Sequence, residues 1–248
     1  MSEITLYNED CFERMKQLSD KSIDLILTDP PYLFNRGGGT NEGTDKNAIG
    51  GKSELYKFGN KMMGDMASFD KDKIYKLLDE SKRLCKIMRG YYFCNETALS
   101  YYLQWANENN CKYNIIVLEK SAFIMNRNKY ATNCEYLVRI VAKSGAGLKI
   151  LNYDKSENDI SWLYSVQQFD KIQNKLHPTE KPLNILNGVI QLNTDKGDLV
   201  FDPFMGSGTC GVVCTMMNRN FIGVEIDDKY FKIAKKRIEE SNTNLFDL

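Results

Sequence analysis

The chain has 248 residues, 42% of them hydrophobic and 27% charged, a composition typical of a globular protein with a sizeable core. Its 33 basic and 33 acidic side chains give a net charge of zero, so nothing in the overall charge attracts nucleic acid. The sequence has no run of about 18 apolar residues, which argues against a membrane span, and its acidic start, MSEITLYNED, lacks the pattern of a signal peptide, so we expect a cytoplasmic protein.

Short strand-like segments alternate with helical segments along most of the chain. Strands are predicted in SEITLYNED, IDLILT, RGYYFCN, KYNIIVLEK, CEYLVRIVAK, DLVFDPF and FIGVEI. Helices are predicted in CFERMKQL, FDKDKIYKLLDESKRLC, TALSYYLQWANEN, PLNILNGVIQLN, GTCGVVCTMMN and DKYFKIAKKRIEES. This alternation favours an α/β fold in which a mostly parallel sheet carries helices on both faces, within a single domain over residues 1–248.

Two segments interrupt the alternation. Residues 33–65 hold eight of the seventeen glycines and are predicted to form a flexible loop, because long glycine-rich loops are functional or disordered. Residues 144–176 are mixed, polar and aromatic, and favour a short insertion that contacts a partner, although a surface excursion with a minor core of its own fits equally well. The seven cysteines include no CxxC pair and stand beside a single histidine, which favours buried thiols over a metal site or a disulfide framework.

The stretch IDLILTDPPYLF, residues 23–34, combines a buried strand with a rigid corner. Because proline cannot donate to a sheet and restricts the residue before it, the strand is predicted to stop at Asp29. An acid and the aromatic ring of Tyr32 then stand just past the strand end. Taken alone, this motif is as typical of a polyproline turn with a surface aromatic as of a functional site.

The stretch DLVFDPFMGSGTCG, residues 198–211, predicts a buried strand, a glycine-rich turn and a helix. Gly206, Gly208 and Gly211 match the pattern GxGxxG, and Glu225 follows 17 residues after Gly208, where it is able to bind ribose hydroxyls. An NAD site would match the same letters. The acidic start of the turn, at Asp202, is a poor host for pyrophosphate and favours an adenosine ligand without phosphates.

Both corners are predicted at the carboxyl ends of parallel strands, where ligands bind in open α/β sheets. We therefore expect Asp29 and Asp202 to lie side by side although they are far apart in the sequence. One corner would hold a cofactor and the other the reacting group.

Three motifs in order, TDPPY, HPTEKPL (residues 177–183) and FDPFMGSGT, resemble those of the beta-group DNA amino-methyltransferases. The resemblance spans nearly the whole chain, and it implies a Rossmann-like methyltransferase fold with a circularly permuted motif order. It also implies transfer of a methyl group from S-adenosylmethionine to an exocyclic amine in double-stranded DNA. The DPPY motif favours adenine N6, because the cytosine-N4 enzymes of the family more often carry serine in place of the aspartate. Cytosine-N4 methylation stays open as an alternative. Less favoured are methylation of RNA or protein amides, whose enzymes usually place the turn before the acidic motif, and an inactive DNA-binding module.

The resemblance assigns the chemistry to Asp29, Pro30, Pro31 and Tyr32. Asp29 and the Pro30 carbonyl would accept the two amine hydrogens, with both acceptors fixed by the prolines. Tyr32 would stack on a base flipped out of the duplex. Asp29 would finally take up the released proton.

The resemblance assigns most other motif residues to the cofactor. Asp10 and Cys11 would lie near its adenine, and Glu225, with Ile226 beside it, would bind the ribose. Lys181 would pair with its carboxylate. The remaining cofactor-binding residues implied are Asp29, His177, Thr179, Asp202, Pro203, Phe204, Gly206, Ser207, Gly208 and Thr209.

This sequence departs from the family pattern at Met205, which stands where many members carry a small residue and is expected to narrow the space beside the turn. The resemblance also implies that residues 144–176 form the target-recognition region, which is short in this sequence. Two further partners follow from the resemblance alone: a second copy of the chain and a cognate restriction enzyme. A bacterial or phage origin follows in the same way.

Overall fold

The computed structural model describes residues 2–32, 69–126, 129–143, 165–169 and 181–243. Strands β1–β8 comprise Ile4–Tyr7, Leu25–Thr28, Arg89–Cys94, Cys111–Asn126, Lys129–Ala142, Val166–Phe169, Leu199–Asp202 and Asn220–Val224. Helices α1–α6 comprise Cys11–Gln17, Lys71–Leu84, Glu96–Glu108, Leu183–Asn193, Thr209–Met216 and Asp228–Thr243. Every strand and helix predicted from the sequence is found; β6 was not predicted.

The eight described strands form one sheet in the order β1-β8-β7-β2-β3-β5-β4-β6. Neighbours from β1 to β3 pair in parallel, as do β4 and β6, whereas β5 pairs antiparallel with both β3 and β4. Among these strands β5 alone therefore runs against the rest. The predicted α/β fold with a mostly parallel sheet is confirmed.

Helices cover both faces of the sheet, as predicted. Apolar side chains of α1, α2 and α3, such as Met15, Leu77 and Trp105, pack into one core. Those of α4, α5 and α6, such as Ile190 and Cys214, pack into a second core on the other face. The central strands β2 and β3 are buried along their whole length. This explains why β2 reads as a continuous apolar run, since a strand covered on both faces does not alternate.

Two predicted segments fall largely outside the described residues. The loop over 33–65 lies wholly outside them, and of the insertion over 144–176 only residues 165–169, which include β6, are described. All seven cysteines carry free thiols, and six are buried, with Cys134 partly exposed. In the described part of the chain, no helix is both long and apolar enough to cross a membrane.

Candidate active site

The two acidic corners lie side by side at the centre of the sheet, as the sequence predicted. Strands β2 and β7 are parallel neighbours, with Leu25 opposite Val200 and Ile26 opposite Phe201. Beyond this register Thr28 Oγ1 donates a hydrogen bond to Asp202 Oδ1 at 2.7 Å. From β2 the chain continues to β3 on one side, and from β7 to β8 on the other. The junction is therefore the point where strand order reverses, the usual ligand site of such sheets.

The segments that follow β1, β8 and β7 are joined to one another by hydrogen bonds. Glu225 N donates to Tyr7 O at 3.0 Å, and Asn8 Nδ2 donates to Glu225 O at 2.8 Å. The Glu225 side chain reaches the glycine-rich turn, where Gly206 N donates to its Oε2 at 3.0 Å. Together with the Thr28–Asp202 bond, these contacts order the segments as the strands are ordered, from Asp10 after β1 to Asp29 after β2.

The glycine-rich turn packs closely on α6. Gly208, at φ +80°, occupies the left-handed region, and a Cβ there would lie 2.9 Å from Ala234 Cα. At Gly211 a Cβ would lie 2.4 Å from Ile238 Cδ1. Gly208 is therefore required for its backbone angle as well as for space, whereas a larger residue at Gly211 would displace the side chains of Ile238 and Phe221. Met205, the departure from the family pattern, is buried. Its Sδ lies so close to Gly223 that a Cβ added to that glycine would be 2.4 Å from it.

Arg237 of α6 binds the turn at three atoms. Its Nη1 donates to Ser207 O at 2.7 Å, to Ser207 Oγ at 2.9 Å and to Thr209 Oγ1 at 3.3 Å. The side chains of Ser207 and Thr209, assigned to the cofactor by the sequence, are thus engaged with α6, and their contact with a cofactor stays a prediction. Sequence reasoning missed Arg237, since nothing distinguishes it from the other basic residues of α6.

The carboxylate of Glu225, at the end of β8, accepts two hydrogen bonds from backbone amides and has capacity for more. Its Oε1 accepts from Asp227 N at 2.8 Å and its Oε2 from Gly206 N, so each oxygen has already one amide donor. Burial raises its pKa, while those amide bonds oppose the rise. Because a carboxylate oxygen accepts two hydrogen bonds, each oxygen of Glu225 is able to accept one more, from a ribose hydroxyl. Ile226 next to Glu225 is 69% exposed, so its side chain is accessible to a ligand.

Asp10 has a structural role in addition to the one predicted. Its Oδ1 accepts from Phe12 N at 2.8 Å and from Glu13 N at 3.1 Å, which caps α1. Cys11 is buried, and burial together with Asp10 raises its pKa to about 12, so it stays a neutral thiol. Their contact with an adenine stays a prediction, and their place beside the Glu225 segment agrees with it.

Asp202, at the end of β7, is buried and acts as an acceptor. In addition to Thr28, Phe204 N donates to its Oδ1 at 3.1 Å. Burial raises its pKa to about 7, and the two hydrogen bonds oppose that rise. Pro203 is buried and Phe204 half-buried, with the Phe204 ring meeting that of Phe69 edge to face at 5.4 Å between centroids.

One oxygen of the Asp29 carboxylate binds a cation, and the other accepts no hydrogen bond from the residues that the structure describes. Lys181 Nζ donates to Oδ2 at 2.7 Å. Oδ1 is buried and accepts no hydrogen bond within the described part of the chain. Burial raises the Asp29 pKa, Lys181 lowers it, and the nearby Glu135 raises it again. A buried acceptor without a described partner is rare. That Asp29 accepts a hydrogen bond from a reacting amine stays a prediction of the resemblance.

Lys181 and Tyr32 surround Asp29 together with Glu135 of β5. Lys181 Nζ lies 3.4 Å from Glu135 Oε2, and Tyr32 OH donates to the same oxygen at 3.3 Å. The ammonium also lies over the rings of Tyr32 and Phe93, 5.1 and 5.0 Å from their centroids. Lys181 was predicted to pair with the cofactor's carboxylate, which stays a prediction; the structure pairs it with Asp29.

Glu135 was missed by sequence reasoning, although the sequence carries a signal for it. It stands two residues before Leu137, a buried residue of the second core, and alternate residues of a strand share one face. A carboxylate on the core side of a strand needs a partner.

Pro30 is buried and Pro31 half-buried, as a rigid corner requires. His177 and Thr179 lie outside the described residues.

Comparison with known proteins gives independent evidence on the family to which this chain is related. A family model described as DNA methylase, for N6 and N4 methyltransferases, matches residues 23–236, which include both corners. The type II methyltransferase M2.MboI of Moraxella bovis is 29% identical over 250 residues, covering 95% of this chain and 87% of the relative. The DNA adenine methyltransferase YhdJ of Escherichia coli is 24% identical over 262 residues, covering 95% and 82%.

A solved structure agrees in fold over almost the same length. The crystal structure of the M1.HpyAVI–SAM complex superimposes with a TM-score of 0.63 at 26% sequence identity. The alignment covers 95% of this chain and 99% of that one. The Rossmann-like fold expected from the motifs is confirmed.

Proposed function

The chain belongs to the DNA methylase family that residues 23–236 match, and we propose that it methylates adenine N6 in double-stranded DNA with S-adenosylmethionine as the methyl donor. The observation that carries this proposal is the Asp29 carboxylate. Its Oδ2 is held by Lys181, and its buried Oδ1 accepts no hydrogen bond from a described residue. A hydrogen of an exocyclic amine would satisfy that oxygen.

Hydrogen bonding at this corner makes a poor nucleophile reactive. The lone pair of an exocyclic amine is delocalised into the ring, so it attacks a methyl carbon only when the nitrogen becomes more tetrahedral. Asp29 Oδ1 accepts one amine hydrogen and the Pro30 carbonyl the other, which favours that geometry. Pro30 and Pro31 hold both acceptors before the base arrives, so little reorganisation is needed.

Tyr32 would receive the base outside the duplex. An amine inside a base-paired stack is not accessible to a buried carboxylate, and enzymes that act on bases extrude them. The Tyr32 hydroxyl lies 3.3 Å from Glu135 Oε2 and the Lys181 ammonium lies over its ring, and together these contacts favour one orientation of the ring for stacking. Base flipping is therefore part of the proposal.

The cofactor would lie along the line from the end of β1 to the end of β2. When bound, S-adenosylmethionine supplies a methyl group activated by its positive sulfonium. Asp10 and Cys11 would contact the adenine, and Glu225, with Ile226 beside it, the ribose hydroxyls. Asp202 and Asp29 give the other end of the line a negative character that suits a sulfonium cation and disfavours pyrophosphate. His177, Thr179 and the turn residues Pro203 to Thr209 would complete the site.

The choice of adenine rests on two features. The motif at residues 29–32 carries aspartate, whereas the cytosine-N4 enzymes of this family more often carry serine. One relative similar over 95% of this chain is named a DNA adenine methyltransferase.

The decisive experiment identifies the methylated nucleoside. The purified protein is incubated with unmethylated genomic DNA and labelled S-adenosylmethionine, and the DNA is digested to nucleosides for mass spectrometry. We expect label in N6-methyladenine. Label in N4-methylcytosine would keep the mechanism and overturn the choice of base. Absence of label in DNA, with the cofactor still bound, would overturn the substrate class.

We also propose three features of its cellular context. A methyltransferase that acts on DNA is expected in the cytoplasm of a bacterial host, where fractionation would find it. A homodimer is expected from the resemblance, and light scattering of the purified protein tests it. A cognate restriction enzyme, if encoded beside this chain, would cut the same DNA sequence only when it is unmethylated.

A further inference from the structure

We infer that Glu135 is a positioning residue for methyl transfer: it shares the Lys181 ammonium with Asp29, holds the Tyr32 hydroxyl, and keeps Asp29 able to take up the proton that the amine releases. The inference rests on the proposed function and adds residues to its mechanism. It starts from a carboxylate that the sequence motifs do not include and that approaches the site from the antiparallel strand β5.

The geometry places one ammonium between two carboxylates. Lys181 Nζ lies 2.7 Å from Asp29 Oδ2 and 3.4 Å from Glu135 Oε2, and the lysine is only 9% exposed. A buried ammonium with two carboxylate partners has little freedom to move, because leaving either one costs electrostatic free energy. Glu135 therefore fixes Lys181, and Lys181 fixes the rotation of the Asp29 carboxylate that leaves Oδ1 for the amine.

The same Glu135 oxygen accepts from Tyr32 OH at 3.3 Å. Asp29 and Tyr32 belong to one rigid corner, and Glu135 contacts that corner from β5 through both Tyr32 and Lys181. The aromatic ring and the acceptor oxygen are thus held relative to each other by one side chain. Reactions that depend on orientation lose rate when such groups shift by about 1 Å.

Charge gives Glu135 a second effect. Two ionised carboxylates and one ammonium sum to a single negative charge, so Lys181 does not fully neutralise Asp29. Burial raises the pKa of Asp29, Lys181 lowers it, and Glu135 raises it. When the amine nitrogen forms its bond to the methyl carbon, the donor's carbon–sulfur bond breaks and the nitrogen carries one proton too many. Asp29 Oδ1 takes that proton, which leaves the cluster neutral.

Other titratable groups near Asp29 must be considered for any pH effect. They are Tyr32, Cys94 of β3, Tyr102 of α3 and Asp202 of β7. Burial raises the pKa of Tyr32, Cys94 and Tyr102, so these groups stay neutral near pH 7. Asp202 has a pKa of about 7 and titrates in the working range. Its effect is common to the wild type and to variants at Glu135, so a difference between them isolates Glu135.

The test compares Glu135→Gln with the wild type in methyl transfer to DNA between pH 5 and 9. Loss of the negative charge lowers the Asp29 pKa, so Asp29 stays ionised at lower pH. We expect the acidic limb of the kcat profile to move down by about one pH unit. We also expect kcat to fall about tenfold, with the dissociation constant for S-adenosylmethionine unchanged. The exposed Glu239→Gln on α6, whose carboxylate lies 4.0 Å from Lys235, is the matched control and should leave the limb in place.

Lys181→Met provides a second variant with the opposite sign. Loss of the positive charge raises the Asp29 pKa, so the acidic limb of this variant's kcat profile should move to higher pH. If a folded Glu135→Gln or Lys181→Met variant has the same acidic limb in its kcat profile as the wild type, the inference is overturned while the proposed function stands. Wild-type protein that transfers no methyl group to DNA overturns the proposed function and the inference together.

Discussion

Thr28 and Asp202 form a buried hydrogen bond of 2.7 Å that joins the ends of β2 and β7, the two strands that carry the site. Thr28 is 1% and Asp202 6% exposed, so the carboxylate depends on protein donors rather than on water. The bond is adjacent to Asp29, since Thr28 is the residue before Asp29 in the chain. It thereby couples the corner proposed for the base to the turn proposed for the cofactor.

Thr28→Val tests this coupling. The substitution keeps the shape of the side chain and leaves a buried carboxylate with one donor fewer, so we expect a loss of about 1–3 kcal/mol in the free energy of unfolding. We also expect weaker binding of S-adenosylmethionine. Chemical denaturation and calorimetry measure the two quantities. Thr28→Ser, which keeps the hydroxyl, should stay close to the wild type, and an equal loss in both variants would contradict the role of the bond.

Asp29→Ala tests the acceptor itself. Without the carboxylate the amine loses its fixed acceptor, and we expect methyl transfer to fall by about a hundredfold or more. Binding of S-adenosylmethionine should survive, because the substitution removes only the Asp29 charge at one end of the proposed site and leaves Asp10, Glu225 and Asp202 in place. Single-turnover rates and equilibrium binding separate the two effects. The exposed Asp72→Ala on α2 is the control, and transfer unchanged in Asp29→Ala would remove Asp29 from the mechanism.

The buried Asp202 predicts how stability depends on pH. Its pKa is raised from an ordinary 3.8 to about 7, so the folded state binds the proton more tightly than the unfolded state. Its contribution to stability is therefore fully present below about pH 4 and is lost as the pH rises through 7. We expect the wild type to lose stability relative to Asp202→Asn between pH 5 and pH 8. Unfolding curves at both pH values measure this difference, and a difference independent of pH would show that the Asp202 pKa is ordinary.

Gly208→Ala tests the packing of the turn on α6. The residue has φ +80°, and an added Cβ would meet the Ala234 backbone at 2.9 Å. Gly197 has a similar angle, φ +86°, with no described heavy atom within 4 Å of its added Cβ. Gly197→Ala therefore carries the backbone strain of about 1 kcal/mol without the collision. We expect Gly208→Ala to destabilise the protein by clearly more and to weaken cofactor binding, and equal losses would show that α6 does not constrain the turn.

Sequence alone predicts the sheet-forming segments and the two corners of the site because both depend on local chemistry. The apolar run before Asp29 and the prolines after it end β2 whatever the rest of the chain does. The adjacency of Asp29 and Asp202 follows from a rule about parallel strands, and the structure confirms it. Strand β6 was missed because its four residues carry no strong pattern.

The partners of the site residues were less accessible to sequence reasoning. Lys181, Glu135 and Arg237 act through contacts between segments distant in the chain, and no spacing within a motif encodes such contacts. Lys181 illustrates this, because its place in HPTEKPL indicated a functional lysine, whereas its observed pairing with Asp29 required the geometry of β5 and α4. Glu135 carried only the weak signal of an acid on the core side of a strand.

The position of β1 has a consequence for synthesis on the ribosome. Among the described strands β1 pairs with β8 alone, yet it is the first to leave the ribosome and β8 the last. The nascent chain must therefore keep its first strand unpaired until more than 200 residues have emerged. The same delay applies to the proposed cofactor site, because Asn8 after β1 and Glu225 after β8 meet at one end of it. A chain truncated before β8 would thus lack Glu225 and with it one end of the proposed cofactor site.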